Sequence, residues 1–339
     1  MTYNVSMKII YFGQEEWEKE YITSKLVGHE VDFYLGSLQN NPTVTDTDAE
    51  VVSIFVSSHI GAEEMDHFPK LKLIATRSTG FDHVDIAEAK KRGIIVASVP
   101  SYGVNTVAEF AFALLLALSR RICEASERVR GGSFSQKDLE GFDLAGKTIG
   151  IVGMGHIGVH AVRMAHGFDM NVLAFDAHQD ESLAQSLGFK YVQLPELLGA
   201  SDIISIHVPY FQSTHHLINM QNINTIKRGA YLINTARGAV VETAALVQAL
   251  KDGIIAGAGL DVLEEEGDMA DEMKLLAASH PSEEELRIVL ENHYLMLHPR
   301  VIITPHVAFD TREAIMRILD TAAGNITSFA SGKLENVVG

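Results

Sequence analysis

A single cysteine, Cys123, stands in 339 residues, which excludes an internal disulfide framework and fits a reducing, cytoplasmic setting. Basic residues are scarce: 27 Lys and Arg against 44 Asp and Glu leave a formal charge of −17 at pH 7. Phosphate backbones and anionic lipid surfaces are bound by surplus positive charge, so this balance argues against a general nucleic-acid or membrane-surface binder. Long apolar runs are missing too. The longest, Phe110 to Leu118, has nine residues, well short of the ~20 that a membrane helix needs. Met1 to Met7 shows no basic-then-apolar leader pattern, and no low-complexity tract or short-period repeat is visible. What is present is ordinary for a globular chain: 47% apolar and 21% charged residues. At roughly 150 residues per domain, the length suits two domains.

Short β-rich runs alternate with helical patterns along most of the chain. In the first hundred residues the candidate strands are Met7–Phe12, Val31–Leu35, Val51–Val56, Leu71–Thr76 and Ile94–Val99, with helical stretches such as Glu15–Leu26 and Ile86–Arg92 between them. Strands separated by helix-length segments read as one parallel α/β unit. A second series comprises Thr148–Val152, Asn171–Phe175, Tyr191–Leu194, Ile203–Val208, Tyr231–Asn234, Ala256–Val262 and Val301–Thr304. The apolar segment Thr106–Ile122 joins the two series, with Thr106 and Glu109 spaced as a capping box. So apolar a helix belongs between layers, as core packing without chemistry. Residues 264–298 break the alternation with the acidic run Glu264-Glu265-Glu266 and a helix expected from Pro281, capped by Ser282 and Glu285. A last helix, Arg312–Ala330, sets Ile315, Ile318, Leu319, Ala322, Ile326 and Phe329 on one face and stops near Gly332.

The apolar strand Ile149–Val152 runs into Gly153-Met154-Gly155-His156-Ile157-Gly158, and a helical pattern with Val162, Ala165 and Phe168 follows. A bare G-x-G-x-x-G is weak evidence, but here strand, helix, second strand and terminal carboxylate all stand in the required order. Gly153 permits the tight turn, Gly155 lets backbone approach a pyrophosphate, and Gly158 allows close helix–strand packing. Free N–H groups at the helix start would face the phosphates. Asp176, eighteen residues after Gly158, can accept hydrogen bonds from a ribose and would repel a 2′-phosphate. Ala177 and His178 offer no arginine to hold one, so the pattern favours NAD over NADP. Alternatively, Asp176 merely caps the turn that follows.

Three further segments place polar residues just past apolar strands: Asn234-Thr235-Ala236-Arg237-Gly238, Asp261 followed by Glu266, and Thr304-Pro305-His306. Ligands of open α/β sheets bind at that carboxyl edge. A guanidinium fork matches a carboxylate, an imidazole moves a proton near neutrality, and a neighbouring carboxylate keeps that imidazole protonated. The set suits a reaction on a small anionic carbonyl compound. Each residue also has a plainer reading: Arg237 as a surface ion pair, His306 as a strand-end cap, Glu266 as a solvated acid. His156 and His160 stand at i and i+4, a metal-capable spacing, yet no third ligand is evident, so no metal is expected. Cys123, beside Arg120 and Arg121, reads as a buried or idle thiol.

The chain resembles the D-isomer-specific 2-hydroxyacid dehydrogenases. The resemblance rests on Ser78-Thr79-Gly80-Phe81-Asp82-His83-Val84-Asp85, Gly153–Gly158 with Asp176, His207-Val208-Pro209, Asn234–Gly238, Gly259–Glu266 and Thr304–Phe309. It covers nearly the whole chain in order and is strongest toward the D-lactate dehydrogenase branch. It implies two α/β domains: a Rossmann-type parallel sheet for NAD over 102–304, and a flavodoxin-like parallel substrate domain assembled from 1–101 and 305–339. It also implies a cytoplasmic homodimer acting on a small 2-oxo or 2-hydroxy acid, with no nucleic acid and no membrane as partner. The dimer contact would run through the NAD domains and Thr106–Ile122.

By the same resemblance, Arg237 would hold the substrate's carboxylate and 2-oxo group, and His306 would donate the proton. Glu266 would hold the pKa of His306 up, while N–H groups of Thr79 and Gly80 would grip the carboxylate. Tyr102 and Phe309 would line the pocket, and Asp261 would sit by the nicotinamide carboxamide. Val107, His156 (as a loop residue over the pyrophosphate), Ile157, His207, Val208, Pro209, Thr214, Thr235 and Ala236 complete the cofactor set. The expected activity is reduction of pyruvate. The alternatives are a larger 2-oxo acid, glyoxylate, hydroxypyruvate, or an NADH-sensing corepressor-like binding role. Three features depart from the family pattern: Gly267 where proline is common, a long 267–298 segment, and Asp310 after Phe309.

Overall fold

The computed structural model describes residues 6–264 and 283–338. The chain opens with β1 (Lys8–Gly13), α1 (Glu16–Lys25), β2 (Glu30–Leu35), β3 (Val51–Ile54), α2 (Ala62–Asp66), β4 (Leu73–Thr76), α3 (Ile86–Lys91) and β5 (Ile95–Ala97). It continues through α4 (Val104–Ser119), α5 (Ile122–Arg130), β6 (Thr148–Val152), α6 (His156–Gly167), β7 (Asn171–Phe175), α7 (Glu181–Leu187), β8 (Lys190–Tyr191), α8 (Leu194–Ala200) and β9 (Ile203–Ile206). Then come β10 (Ala230–Asn234), α9 (Thr243–Lys251), β11 (Ile255–Leu260), α10 (Glu283–Leu297), β12 (Val301–Ile303), α11 (Arg312–Ala330) and β13 (Val337–Val338). These elements form two compact units, Met1–Tyr102 with Thr311–Gly339, and Gly103–Asp310.

The first unit is a sheet of order β13-β5-β4-β3-β1-β2, parallel except for β13, which runs antiparallel to β5. Its central strands β3 and β4 are buried at every position. That is why they read as nearly continuous apolar runs, broken only by Ser53 and Thr76, rather than as alternating ones. Helix α11 has the bounds expected from sequence: Thr311 Oγ1 accepts from Ala314 N at 3.2 Å at its start, and Gly332 adopts φ +79 just past its end. Its buried Leu319, Ala323 and Ile326 pack on the sheet face that carries Ile9 and Tyr11. Burying each large aliphatic side chain contributes about 1.5–3 kcal/mol, so this face returns the distant C-terminal segment to the first unit.

The second unit is fully parallel, of order β12-β11-β10-β9-β6-β7-β8. One apolar cluster on it takes in α4 and α6, another α8 and α9. Several local expectations need correcting. The linking helix begins at Val104 after Gly103 and breaks at Arg121, which has φ +52. Thr106 therefore lies inside the helix and is no N-cap, and Glu109 accepts from Asn105 Nδ2 at 3.0 Å instead of closing a capping box. Leu194 starts a helix rather than ending a strand, because Pro195 in the first turn favours helix entry. Strand β9 stops at Ile206, two residues early, where the chain leaves the ladder toward Pro209. The expected helix start at Pro281 and its Ser282 cap lie outside the described residues. Cys123 is exposed, not buried.

Candidate active site

Strand order decides what can meet in the second unit. From β6 the chain steps outward to β7 and β8, then returns to add β9 on the other side of β6. The reversal opens a crevice between the carboxyl ends of β6 and β9, where parallel sheets of this kind bind ligands. Along that edge the loops follow in spatial order. His306 follows β12, Asp261 β11, Thr235–Arg237 β10, His207–Pro209 β9, Gly153–Gly158 β6 and Asp176 β7. With strands roughly 4.8 Å apart, the stretch from β7 to β10 spans about 14 Å.

The glycine loop is built as its spacing requires. Gly153 has φ +101, and a Cβ there would fall 2.7 Å from the His207 carbonyl carbon. A Cβ on Gly158 would fall 2.0 Å from the Gly153 oxygen, whereas one on Gly155 would meet nothing within 4 Å. Two glycines thus close the turn, and the third leaves open space over the start of α6. His156 and Ile157 belong to the first turn of that helix, so His156 is not a loop residue. An open cavity of about 430 Å³ borders the loop, lined by Val104, Met154, Gly155, His156, His160 and Arg163. Among the described residues no group of three metal-capable side chains converges, at His156 and His160 or elsewhere.

Asp176 serves two neighbours: Oδ2 accepts from Met154 N at 2.6 Å and Oδ1 from His178 N at 2.8 Å. Its carboxylate therefore ties the glycine loop to the end of β7 as well as capping its own turn. His207 is buried, with Nε2 at 2.9 Å from Ser205 Oγ and Nδ1 without a partner among the described residues. Burial pushes its pKa down to about 4, so the ring is neutral at physiological pH. Thr235 Oγ1 is likewise buried and unpartnered. Orphaned buried polar atoms are rare and call for a ligand or water. Thr214 Oγ1 donates to Pro209 O at 2.7 Å and accepts from Phe211 N at 2.8 Å, closing the loop after β9. Val107 is buried in α4.

The Arg237 turn is braced by Asn234, a residue to which the sequence pattern assigns no role. Its Oδ1 accepts from Ala236 N and its Nδ2 donates to Arg237 O, both at 3.0 Å. Half-buried Arg237 donates from Nη1 to Ala236 O at 2.8 Å. From there a backbone ladder crosses the edge: Asp261 N donates to Asn234 O and His306 N to Asp261 O, each at 2.9 Å. His306 sits in the left-handed region at φ +54. The Asp261 carboxylate is fully buried and accepts from Thr304 Oγ1 at 2.5 Å, Val307 N at 3.0 Å and Ala308 N at 2.8 Å. Burial nonetheless raises its pKa, against the lowering by these bonds. The Asp261 side chain anchors the His306 turn, which keeps residues 305–310, Phe309 among them, with the second unit. Glu266 lies outside the described residues.

In the first unit the loop after β4 is pinned from within. Thr79 Oγ1 donates to Val99 O at 2.7 Å, Ser78 Oγ donates to Gly80 O at 2.6 Å, and Thr76 Oγ1 lies 2.9 Å from His83 Nε2. The backbone N–H groups of Thr79 and Gly80 donate to no acceptor among the described residues. The Tyr102 carbonyl accepts from Arg317 Nε at 2.6 Å.

Residues 112–308 match the family model described as D-isomer specific 2-hydroxyacid dehydrogenase, NAD binding domain. The chain belongs to the D-isomer specific 2-hydroxyacid dehydrogenase family. It is an NAD-dependent oxidoreductase, and the open space over Gly155 together with the orphaned Thr235 Oγ1 and His207 Nδ1 fits that cofactor. Glyoxylate reductase from Thermofilum pendens is 40% identical over 292 residues, 85% of this chain and 80% of that one. D-lactate dehydrogenase from Escherichia coli is 34% identical over 331 residues, 96% and 98% of the two chains. The structure of D-lactate dehydrogenase from Aquifex aeolicus with NAD and lactic acid superposes with a TM-score of 0.84 at 35% identity, covering 97% of this chain and 98% of that one. Among the described residues of this 2-hydroxyacid dehydrogenase, no helix is long and apolar enough to cross a membrane.

Proposed function

We propose that this dehydrogenase is a D-lactate dehydrogenase that reduces pyruvate, or a closely related short 2-oxo acid, to the D-hydroxy acid. The supporting observation is the ladder Asn234–Asp261–His306, which ties the turns of Arg237 and His306 to neighbouring strand ends. NADH, when bound, supplies the hydride. The residues do the rest. Asp176 holds the adenosine ribose, the start of α6 faces the pyrophosphate, and His207 and Thr235 offer their unpartnered atoms. Val107, His156, Ile157, Val208, Pro209, Thr214 and Ala236 complete the cofactor wall. Arg237 pairs its planar fork with the substrate's carboxylate and 2-oxo oxygen. His306 gives its proton to the carbonyl oxygen, and Glu266 keeps that imidazole protonated.

The free N–H groups of Thr79 and Gly80 take the carboxylate from the first unit, the substrate domain, while Tyr102 and Phe309 bound the substrate's side chain. The second unit is the cofactor domain, and the enzyme works in the cytoplasm as a homodimer. Relatives named D-lactate dehydrogenase and glyoxylate reductase flank this chain, so substrate profiling is the deciding test. NADH oxidation is measured with pyruvate, glyoxylate, hydroxypyruvate and larger 2-oxo acids. Pyruvate is expected to give the highest kcat/KM, with turnover above about one per second. A tenfold preference for any other acid overturns the assignment.

A further inference from the structure

One cluster of titratable side chains lies outside the machinery above and touches it from behind. Glu264 is 7% exposed, and both its carboxylate oxygens are committed. Oε1 accepts from His216 Nε2 at 2.5 Å. Oε2 accepts from Thr243 N at 3.1 Å and Thr243 Oγ1 at 2.7 Å, at the start of α9. The Glu264 carbonyl accepts from Asn292 Nδ2 of α10 at 2.8 Å. One residue thus joins three separate segments to the end of β11.

His216 is held just as firmly. It adopts φ +48, a region that a residue with a Cβ enters only under constraint. Its N–H donates to Ala239 O at 2.8 Å, its carbonyl accepts from Asn219 Nδ2 at 2.8 Å, and its ring stacks on His215 with centroids 3.8 Å apart. The backbone bond to Ala239 and the side-chain bond to Glu264 therefore grip the two sides of one contact. At that contact, a Cβ on Gly238 would fall 2.0 Å from the Leu263 carbonyl carbon and 2.4 Å from Glu264 N. The turn that begins at Arg237 rests directly on the Leu263–Glu264 peptide.

We propose that His216 and Glu264 form a positioning pair for Arg237. They fix the Leu263–Glu264 peptide, and through Gly238 it fixes where the guanidinium's turn stands. Neither residue touches substrate in this role. A buried carboxyl group that must be fully hydrogen-bonded is an expensive way to fill space, and apolar residues would serve packing as well. What directional bonds add is placement. A displacement of about 1 Å in a substrate-holding group can lower rate by about a hundredfold. The inference rests on the proposed role of Arg237 as the substrate-carboxylate ligand.

The test uses His216→Asn and Glu264→Gln in the full-length enzyme. Asparagine tolerates the left-handed backbone but is too short to reach Glu264, and glutamine keeps the shape and an acceptor for Thr243. The expected result is a rise of about tenfold in KM for the 2-oxo acid and a fall of about ten- to a hundredfold in kcat/KM. NADH dissociation constants, read by fluorescence of the bound nicotinamide, should change less than twofold. Introduced into Arg237→Gln, His216→Asn should raise KM no further, because its effect acts through the missing guanidinium. If both single variants lower only the Tm and leave KM and kcat/KM as they were, the pair is a plain brace and the proposal falls. If His216→Asn raises KM as much without the guanidinium as with it, the proposal falls too. Failure of the Arg237 assignment is seen separately, as an Arg237→Gln enzyme with unchanged KM.

Discussion

His207 makes the enzyme's stability depend on acid in a calculable way. The ring is 8% exposed, lies at the end of β9, and has its pKa pushed down to about 4 by burial, against 6.5 for a free histidine. Below pH 6.5 the unfolded chain takes up a proton at this residue that the folded chain refuses. Stability from this group is therefore complete above pH 6.5, lost progressively as pH falls, and exhausted near pH 4. At about 1.4 kcal/mol per pH unit, the whole gap amounts to about 3 kcal/mol. By pH 5 about 2 kcal/mol of it is gone. The assay is urea denaturation at pH 7.5 and at pH 5 for the wild-type enzyme and His207→Asn, each protein compared with itself. The wild type should lose about 2 kcal/mol more than the variant between the two pH values. Other titrating groups are common to both proteins and cancel in that difference. Losses equal within about 0.5 kcal/mol would refute the reasoning, as would an imidazole resonance of His207 that titrates near 6.5.

Two substitutions test the site itself. His306→Gln should lower turnover by about two to four orders of magnitude, the usual weight of a general acid, while NADH binding by fluorescence persists; near-normal turnover would remove His306 from the proton step. Asp176→Ala removes the ribose acceptor and the tie to Met154 N together. NADH affinity should fall about ten- to a hundredfold, as for a lost hydrogen bond to a charged group, and discrimination against NADPH should relax. Titrating both cofactors into both proteins checks this, and a wild-type enzyme that binds NADPH as tightly as NADH would contradict the role given to Asp176.

Much of this enzyme is readable along the chain because its signals are local. Thr148–Val152 and Asn171–Phe175 keep the same bounds in the structure, and Arg312–Ala330 is a helix over the same residues. Apolar runs, helical spacing and terminal caps act within a few residues, so one dimension suffices to see them. The glycine spacing and the distant carboxylate are legible for the same reason, since strand, turn and helix follow one another without a break.

What a segment does once strands lie side by side is decided elsewhere. Thr106 and Glu109 have capping-box spacing but lie inside α4, because Gly103 supplies the earlier start. Asp261 ends an apolar strand in the sequence, and only the pairing of β12 beside β11 shows that its carboxylate also holds the His306 turn. Glu264 has no role legible in the acidic run it opens, and only the packing of Gly238 on its backbone and the reach of His216 across 48 residues show it to be a buried junction. Composition and spacing determined which elements form and which chemistry they carry. The sheet order determined which of those groups meet, because contacts between residues far apart in the chain depend on strand neighbours and burial that no local pattern encodes.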